Sequence, residues 1–331
     1  MKRAFRLLSS GMTRAVWLLV LMVVCSFVFD RLGLGHFGKD TAFSVLQYFA
    51  TFGPIALGLG LTILVREFDI AIAGMFGLGG CIAVLVGRLD PLLGLAAAIA
   101  VGICGGALQG YAMVRLRLSS VAVSLGGLLT FGGFAYVLTG NRTVSFGRMD
   151  IALLVNTPIL EIFSLRSLIA VLLVAIAAFF VSCTRIGRDM IAVGGDRQAA
   201  TTAGVKTEAI LIGTFATCSM LCALSGALLS FSLSAASPAG LSDISVPAVA
   251  AVILGGASFS GGTGRPLGTA AGVMILGLLR TGLTTLGVPP YVHDLVTGGV
   301  LLSVAIADGN DFARRLYDLI ARREASMSST R

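Results

Sequence analysis

Charged residues in this chain cluster in short segments between apolar blocks of about 20 residues, the length that crosses a bilayer core of about 30 Å as a helix. Ten such blocks are read, at 14–30, 43–65, 69–87, 91–114, 121–139, 165–183, 210–235, 246–260, 266–287 and 291–307. The predicted fold class is therefore all-α, a polytopic transmembrane helical bundle of about ten spans. Proline punctuates the same pattern. Pro91, Pro247 and Pro266 fall in first helical turns, where a missing N–H costs nothing. Pro158, Pro238, Pro289 and Pro290 fall in loops, and Pro54 falls within a span, where a kink is expected. The eighth block stands out. Residues 246–260 would cover about 22 Å as a helix. That is shorter than the apolar core, so a half-helix or re-entrant segment is expected. Such backbone is tolerated only where protein buries it or it lines a water-filled cavity.

Composition narrows the class. The chain is 56% hydrophobic and 12% charged, against about 25% charged in soluble domains. A soluble enzyme is excluded. Of the 43 glycines, 28 sit within the apolar blocks, where small residues let membrane helices approach closely, as at Gly102 and Gly106 or Gly268 and Gly272. A net charge of +8 reflects cytoplasmic loops rich in Lys and Arg, not nucleic-acid binding. With the N-terminus inside, the inner segments hold 17 of the 24 Lys and Arg, the outer segments six, and Arg280 lies within a span. Both termini are thus expected in the cytoplasm. That gives a tail at 1–13, a permeation domain at 14–307 carrying a cytoplasmic loop at 184–209, and a tail at 308–331. Lys2, Arg3, Arg6 and Arg14 precede the first apolar block with no small-x-small site after it, so an uncleaved span is read.

Some chemistry has little material. Six cysteines show no paired metal-ligand spacing, and Cys218 and Cys222 share a helix face suited to packing. His36 and His293 are the only histidines, too few for a histidine metal site. The chain has no Gly-x-x-x-x-Gly-Lys-Ser/Thr. Gly261-Gly262-Thr263-Gly264-Arg265 is Gly-rich, but no strand leads into it. Neither a cofactor nor a metal is expected.

Two local patterns suggest organisation. Phe68-Asp69-Ile70 precedes the third block and Ser242-Asp243-Ile244 the eighth, each with a Gly pair following. The echo is short, and fits either coincidence or the 5+5 inverted repeat found in transporters. The loop 184–209 contains a turn-permitting Gly194-Gly195, an N-cap in Asp196, helix formers in Gln198, Ala199 and Ala200, and a stop at Gly204. It reads as a small cytoplasmic helix suited to docking a partner.

This loop resembles the Thr-Arg-x-Gly-Arg…Gly-Gly-Asn-x-x-Ala-Ala…Gly-Ile pattern of bacterial ABC permeases of the ribose/xylose/arabinose type. The resemblance continues through Ala250 to Gly264, Leu267-Gly268-Thr269 and Gly282 to Val288. It implies a membrane-spanning permease subunit of an ATP-driven importer for a monosaccharide or polyol, in the bacterial inner membrane. Branched-chain amino acids and nucleosides are the alternative substrates. The implied partners are an ABC ATP-binding subunit, a periplasmic sugar-binding protein, a second permease chain and the lipid bilayer. Coupling to the ATPase is implied for Arg185, Gly187, Arg188, Gly194, Gly195, Asp196, Ala199, Ala200 and Gly204. The chain departs from the family pattern before the third span, where Asp69 is kept but flanking Gly and Ser are lost. It departs again before the eighth span, and at Arg280, where Asn is common.

A further set of residues is read as the translocation path. Arg280 lies within an apolar span, where a charge is costly and usually functional or paired. Asp294, on the next span, is its expected partner in an outer vestibule. Otherwise Arg280 snorkels to the surface. Asp69 either caps a helix at the cytoplasmic interface or gates the inner mouth. Gln47 and Phe49, with Tyr48 and Phe52, either face a sugar or pack. A proton- or sodium-driven transporter is the competing class. Its carboxylates would be buried mid-span, whereas Asp69, Asp243 and Asp294 fall near span ends.

Overall fold

The computed structural model of the chain describes residues 20, 23, 38–240, 244–258 and 261–302. The two expected tails, nearly all of the expected first span, Asp243 of the internal echo and the last residues of the tenth span lie outside the described residues. Contacts divide the chain into two units, Met1–Val288 and Pro289–Arg331. In the first unit the order is α1 (Lys39–Leu64), α2 (Ile72–Gly87), α3 (Pro91–Leu116), α4 (Ser120–Thr139), β1 (Val144–Ser145), α5 (Met149–Asn156), α6 (Leu165–Cys183), α7 (Arg185–Gly195), α8 (Arg197–Thr202), α9 (Thr207–Ser232), β2 (Ala235–Ala236), α10 (Ser245–Leu254) and α11 (Pro266–Thr285). In the second unit residues 290–302 are helical.

Among the described residues, six helices are long and apolar enough to cross a membrane: α1, α3, α4, α6, α9 and α11. Helices α2 and α10 are apolar but shorter. With 10 residues, α10 spans about 15 Å, less than its sequence suggested. Local chemistry sets the ends. Asp90 accepts from Leu92 N at 2.7 Å and Pro91 opens α3. Ser119 caps α4, and Ser164 with Ser167 forms a reciprocal capping box on α6. Helix α2 begins at Ile72 rather than residue 69 because the Asp69 carboxylate accepts from Ala71 N at 2.9 Å, holding the preceding backbone in a turn.

Helices α1 and α9, each of 26 residues, sit at the centre of this unit. α9 packs on α3, α2 and α1, while α11 and α6 lie along α1. Burial is inverted relative to a soluble protein. Leu108 on α3, Leu129 on α4 (77% exposed) and Phe179 on α6 point outward, an apolar surface that only lipid or another apolar surface solvates cheaply. At one end of the bundle β1 pairs antiparallel with β2, Val144 opposite Ala236, and Phe146 stacks on Phe231 at 4.8 Å.

Glycine makes the central contacts close. A Cβ on Gly106 would overlap the Phe215 carbonyl oxygen and lie 2.7 Å from Ser219 Cβ. Gly102 faces Met220 Cα at 2.8 Å in the same way. Gly268 and Gly272 meet the backbone of α10 at Gly255 and Ala251. Gly106→Ala should therefore cost about 1–3 kcal/mol through overpacking, read as a lower thermal midpoint of the detergent-solubilised chain. Gly126→Ala, facing open space, should leave it unchanged. Equal midpoints would mean that α3 does not lie against α9.

Candidate functional site

The loop between α6 and α9 folds as two helices meeting at a corner. Thr184 caps α7, accepting from Gly187 N at 3.2 Å. Asp196 caps α8, accepting from Ala199 N at 3.0 Å. Gly204 adopts φ +86° after α8, a left-handed conformation that stops a helix and favours glycine. Gly194 and Gly195, read from sequence as a turn, instead complete the last turn of α7. Their smallness serves contact rather than turning. A Cβ on Gly194 would overlap the Leu64 carbonyl oxygen and lie 2.6 Å from Gly262 N.

That contact is a three-way junction. Gly262 N–H donates to the same Leu64 carbonyl at 2.9 Å. Gly261 and Gly262, at φ +75° and +66°, turn the α10–α11 connection in against the end of α1. Arg197 on α8 pairs with Glu67 in the α1–α2 connection. Beneath the junction, Met190 and Val193 of α7 and Ala200 of α8 pack into one apolar cluster. Its other members include Leu61 and Leu64 of α1, Met113 of α3, Val181 of α6 and Phe215 of α9. The segment is thus bolted to helices from both halves of the chain. A push on it reaches α1, α9 and the α10–α11 turn together.

The nine residues implicated in coupling separate into two faces. Gly187, Gly194 and Ala200 are buried against the bundle. Arg185, Arg188, Gly195, Asp196, Ala199 and Gly204 are exposed, as are Ile186 and Ile191. One face holds the segment to the membrane helices and the other is open to a partner.

The four path residues of the first unit divide between the two ends of α1. Phe49 is buried within α1, and Gln47 is half-buried with Oε1 lacking a hydrogen-bond partner among the described residues. One residue on, Tyr48 stacks on Phe52 at 4.3 Å, and the Arg280 guanidinium carbon of α11 lies 6.0 Å from the Tyr48 ring centroid. Arg280 therefore has an aromatic face as a neighbour, an attractive cation–π geometry. Asp69 follows the other end of α1. It is 1% exposed, and its Oδ2 has no hydrogen-bond partner among the described residues. Asp294 is exposed and belongs to the second unit, on the helix of residues 290–302.

One residue escaped the sequence reading. Arg166, at the start of α6, looks like a cation flanking an apolar block, yet it is 4% exposed. Its Nη2 donates to Thr51 Oγ1 of α1 at 2.6 Å and its Nη1 to Ser232 Oγ of α9 at 2.8 Å. Ser232 Oγ donates to Asn156 Oδ1 of α5 at 2.7 Å, and Asn156 Nδ2 returns a bond to Ser232 O at 2.9 Å. One guanidinium thus ties α6 to α1 and α9, and Asn156 extends the network to α5. Outside the spans, hydrogen bonds from Arg148 hold the exposed Asp150 carboxyl below the usual carboxylate range.

Comparison with known proteins agrees with this architecture. The family described as "Branched-chain amino acid transport system / permease component" matches residues 41–305. The ribose import permease protein of Escherichia coli (strain K12) is 30% identical over 300 residues, covering 88% of this chain and 92% of that protein. The autoinducer 2 import system permease protein of Yersinia pseudotuberculosis is 33% identical over 260 residues, covering 77% and 73%. No solved structure matches the chain significantly.

Proposed function

The chain belongs to the permease-component family of branched-chain amino acid transport systems, and on that premise we propose that it forms the membrane channel of an ABC importer for a monosaccharide or polyol. The observation that carries the sugar reading is the near full-length likeness to a ribose import permease. The autoinducer 2 relative makes that signal the substrate to test beside ribose. ATP hydrolysis falls to a separate subunit, and a periplasmic binding protein delivers the substrate. A second permease chain completes the pathway. Both termini are placed in the cytoplasm by the excess of Lys and Arg in the inner segments.

The exposed face of α7 and α8 is where the ATP-binding subunit docks, with Arg188, Gly195, Asp196, Ala199 and Gly204 toward it and Arg185, the first residue of α7, at its membrane edge. The buried face, with Gly187, Gly194 and Ala200, relays its movement. Closure of the ATPase pair then shifts α1 and the α10–α11 turn as one body, and two discrete packings of helices give alternating access. Gln47, Phe49 and Arg280 belong to the outer part of the path and Asp69 to its inner part, with Asp294 on the last span.

The test is purification of the tagged chain from its host in mild detergent, with mass spectrometry of what accompanies it. A P-loop ATPase should co-purify, and Asp196→Lys should release it while permease levels hold. A stable permease that never brings down an ATPase would end the importer reading.

A further inference from the structure

A groove of about 860 Å³ runs between α6 and α9, with α1 as its floor. Leu61 lies on the floor and Ile176 and Phe180 on one wall. The mouth, beside the coupling segment, is lined by Arg185, Lys206 and Asp189. Two cations therefore face one carboxylate. Among the described residues neither Arg185 nor Lys206 forms an ion pair. The groove is poorly suited to a sugar. The hydroxyls that reach it, Thr214 and Thr217, donate to their own helix, at Ile210 O (2.7 Å) and Gly213 O (2.8 Å), and keep only acceptor capacity for a ligand. A polyol inside would leave its own hydroxyls unsatisfied, at a cost that apolar walls do not offset. An acyl chain carries no such cost.

We propose that this groove is a binding site for an anionic phospholipid, with an acyl chain between α6 and α9 and the phosphate at Arg185 and Lys206. Basic pockets between membrane helices on the cytoplasmic side select anionic head groups in this way. The site goes beyond the transport reading but rests on its placement of α7 and α8 at the cytoplasmic face. It has a mechanical consequence. The lipid fills the space under α7 and braces the floor helix α1 at the end that carries the junction at Leu64, so the anionic lipid content of the membrane tunes the stiffness of the coupling segment.

The experiment uses the full chain, extracted with mild detergent from vesicles holding equal phosphatidylglycerol and phosphatidylcholine. Lipid retention is read by native mass spectrometry. The expected result is preferential retention of phosphatidylglycerol. The double variant Arg185→Gln with Lys206→Gln should lower that preference roughly thirtyfold, since each cation near an anionic surface contributes roughly fivefold. Ala177→Trp, which puts bulk into the groove wall, should lower retention of both lipids. Size-exclusion profiles matching the parent exclude misfolding as the cause. Equal retention of the two lipids by the parent chain would overturn the proposal. So would phosphatidylglycerol retention that neither variant changes. A photo-crosslinker at position 177 separates the other occupants. Capture of phospholipid supports the site, whereas capture of residues 14–30 or of a second copy of the chain overturns it.

Discussion

Gly194→Ala will cost the permease its grip on the ATP-binding subunit while leaving its amount in the membrane nearly unchanged. The added Cβ would overlap the Leu64 carbonyl oxygen and come within 2.6 Å of Gly262 N. Both neighbours are backbone, and they are bonded to each other at 2.9 Å, so neither can rotate away as a side chain would. Either α7 lifts from α1 or the Gly262–Leu64 bond breaks. Overpacking of this kind costs about 1–3 kcal/mol, and 1.4 kcal/mol is tenfold in an equilibrium. Retention of the ATPase through purification, and ATP-driven uptake, should fall roughly tenfold or more.

The neighbouring residue gives the control. Gly195 is exposed, and a Cβ there meets nothing within 4 Å. Gly195→Ala should keep the junction intact, so any loss it causes is a docking effect on the outer face. If Gly194→Ala and Gly195→Ala behave alike, the buried junction carries no coupling. If Gly194→Ala lowers the membrane level as much as the ATPase retention, the junction serves folding instead.

The contrast between these two glycines shows what the sequence made legible. Chain-local signals were readable. The apolar blocks located the six long helices among the described residues, Asp196 and Gly204 marked the limits of α8, and Pro91 and Pro266 marked helix starts. Contacts between distant segments were not. Glu67 and Arg197 are 130 residues apart, and no periodicity announces that pair. A Gly pair reads the same whether it turns the chain or lets another backbone come close. Helix α5 escaped because its eight residues are too few for a span and hold only two buried positions, Ala152 and Val155. Arg166 escaped for a different reason. Hydropathy gives position along the chain but not burial, so a cation at the edge of an apolar block looks exposed even when helices distant in sequence cover it.

Arg166 also carries the second large expected effect, and competing terms decide its direction. Two charge-assisted hydrogen bonds stabilise the tie by about 1.5–3 kcal/mol each. Taking a guanidinium out of water costs several kcal/mol even after relaxation, and no carboxylate among the described residues offsets that charge. Arg166→Ala loses the bonds, sheds the charge and leaves a void, and emptying a buried site costs about 2–5 kcal/mol. The hydroxyls themselves are not stranded, since Thr51 Oγ1 still donates to Gln47 O at 3.3 Å and Ser232 Oγ to Asn156. The void term therefore dominates, and Arg166→Met, which refills it without a charge, should recover much of the loss. Buried ionic groups replaced by apolar ones of similar volume are often neutral in this way. Arg166→Lys keeps the buried charge but lacks the fork that reaches Thr51 and Ser232 together, so it should be no better than alanine. The expected order of thermal midpoints in detergent is parent, then methionine, then alanine and lysine. A lysine variant as stable as the parent would show that charge alone suffices. A methionine variant that is stable yet fails to transport would move Arg166 from scaffold to pathway, because only its charge would then be missing.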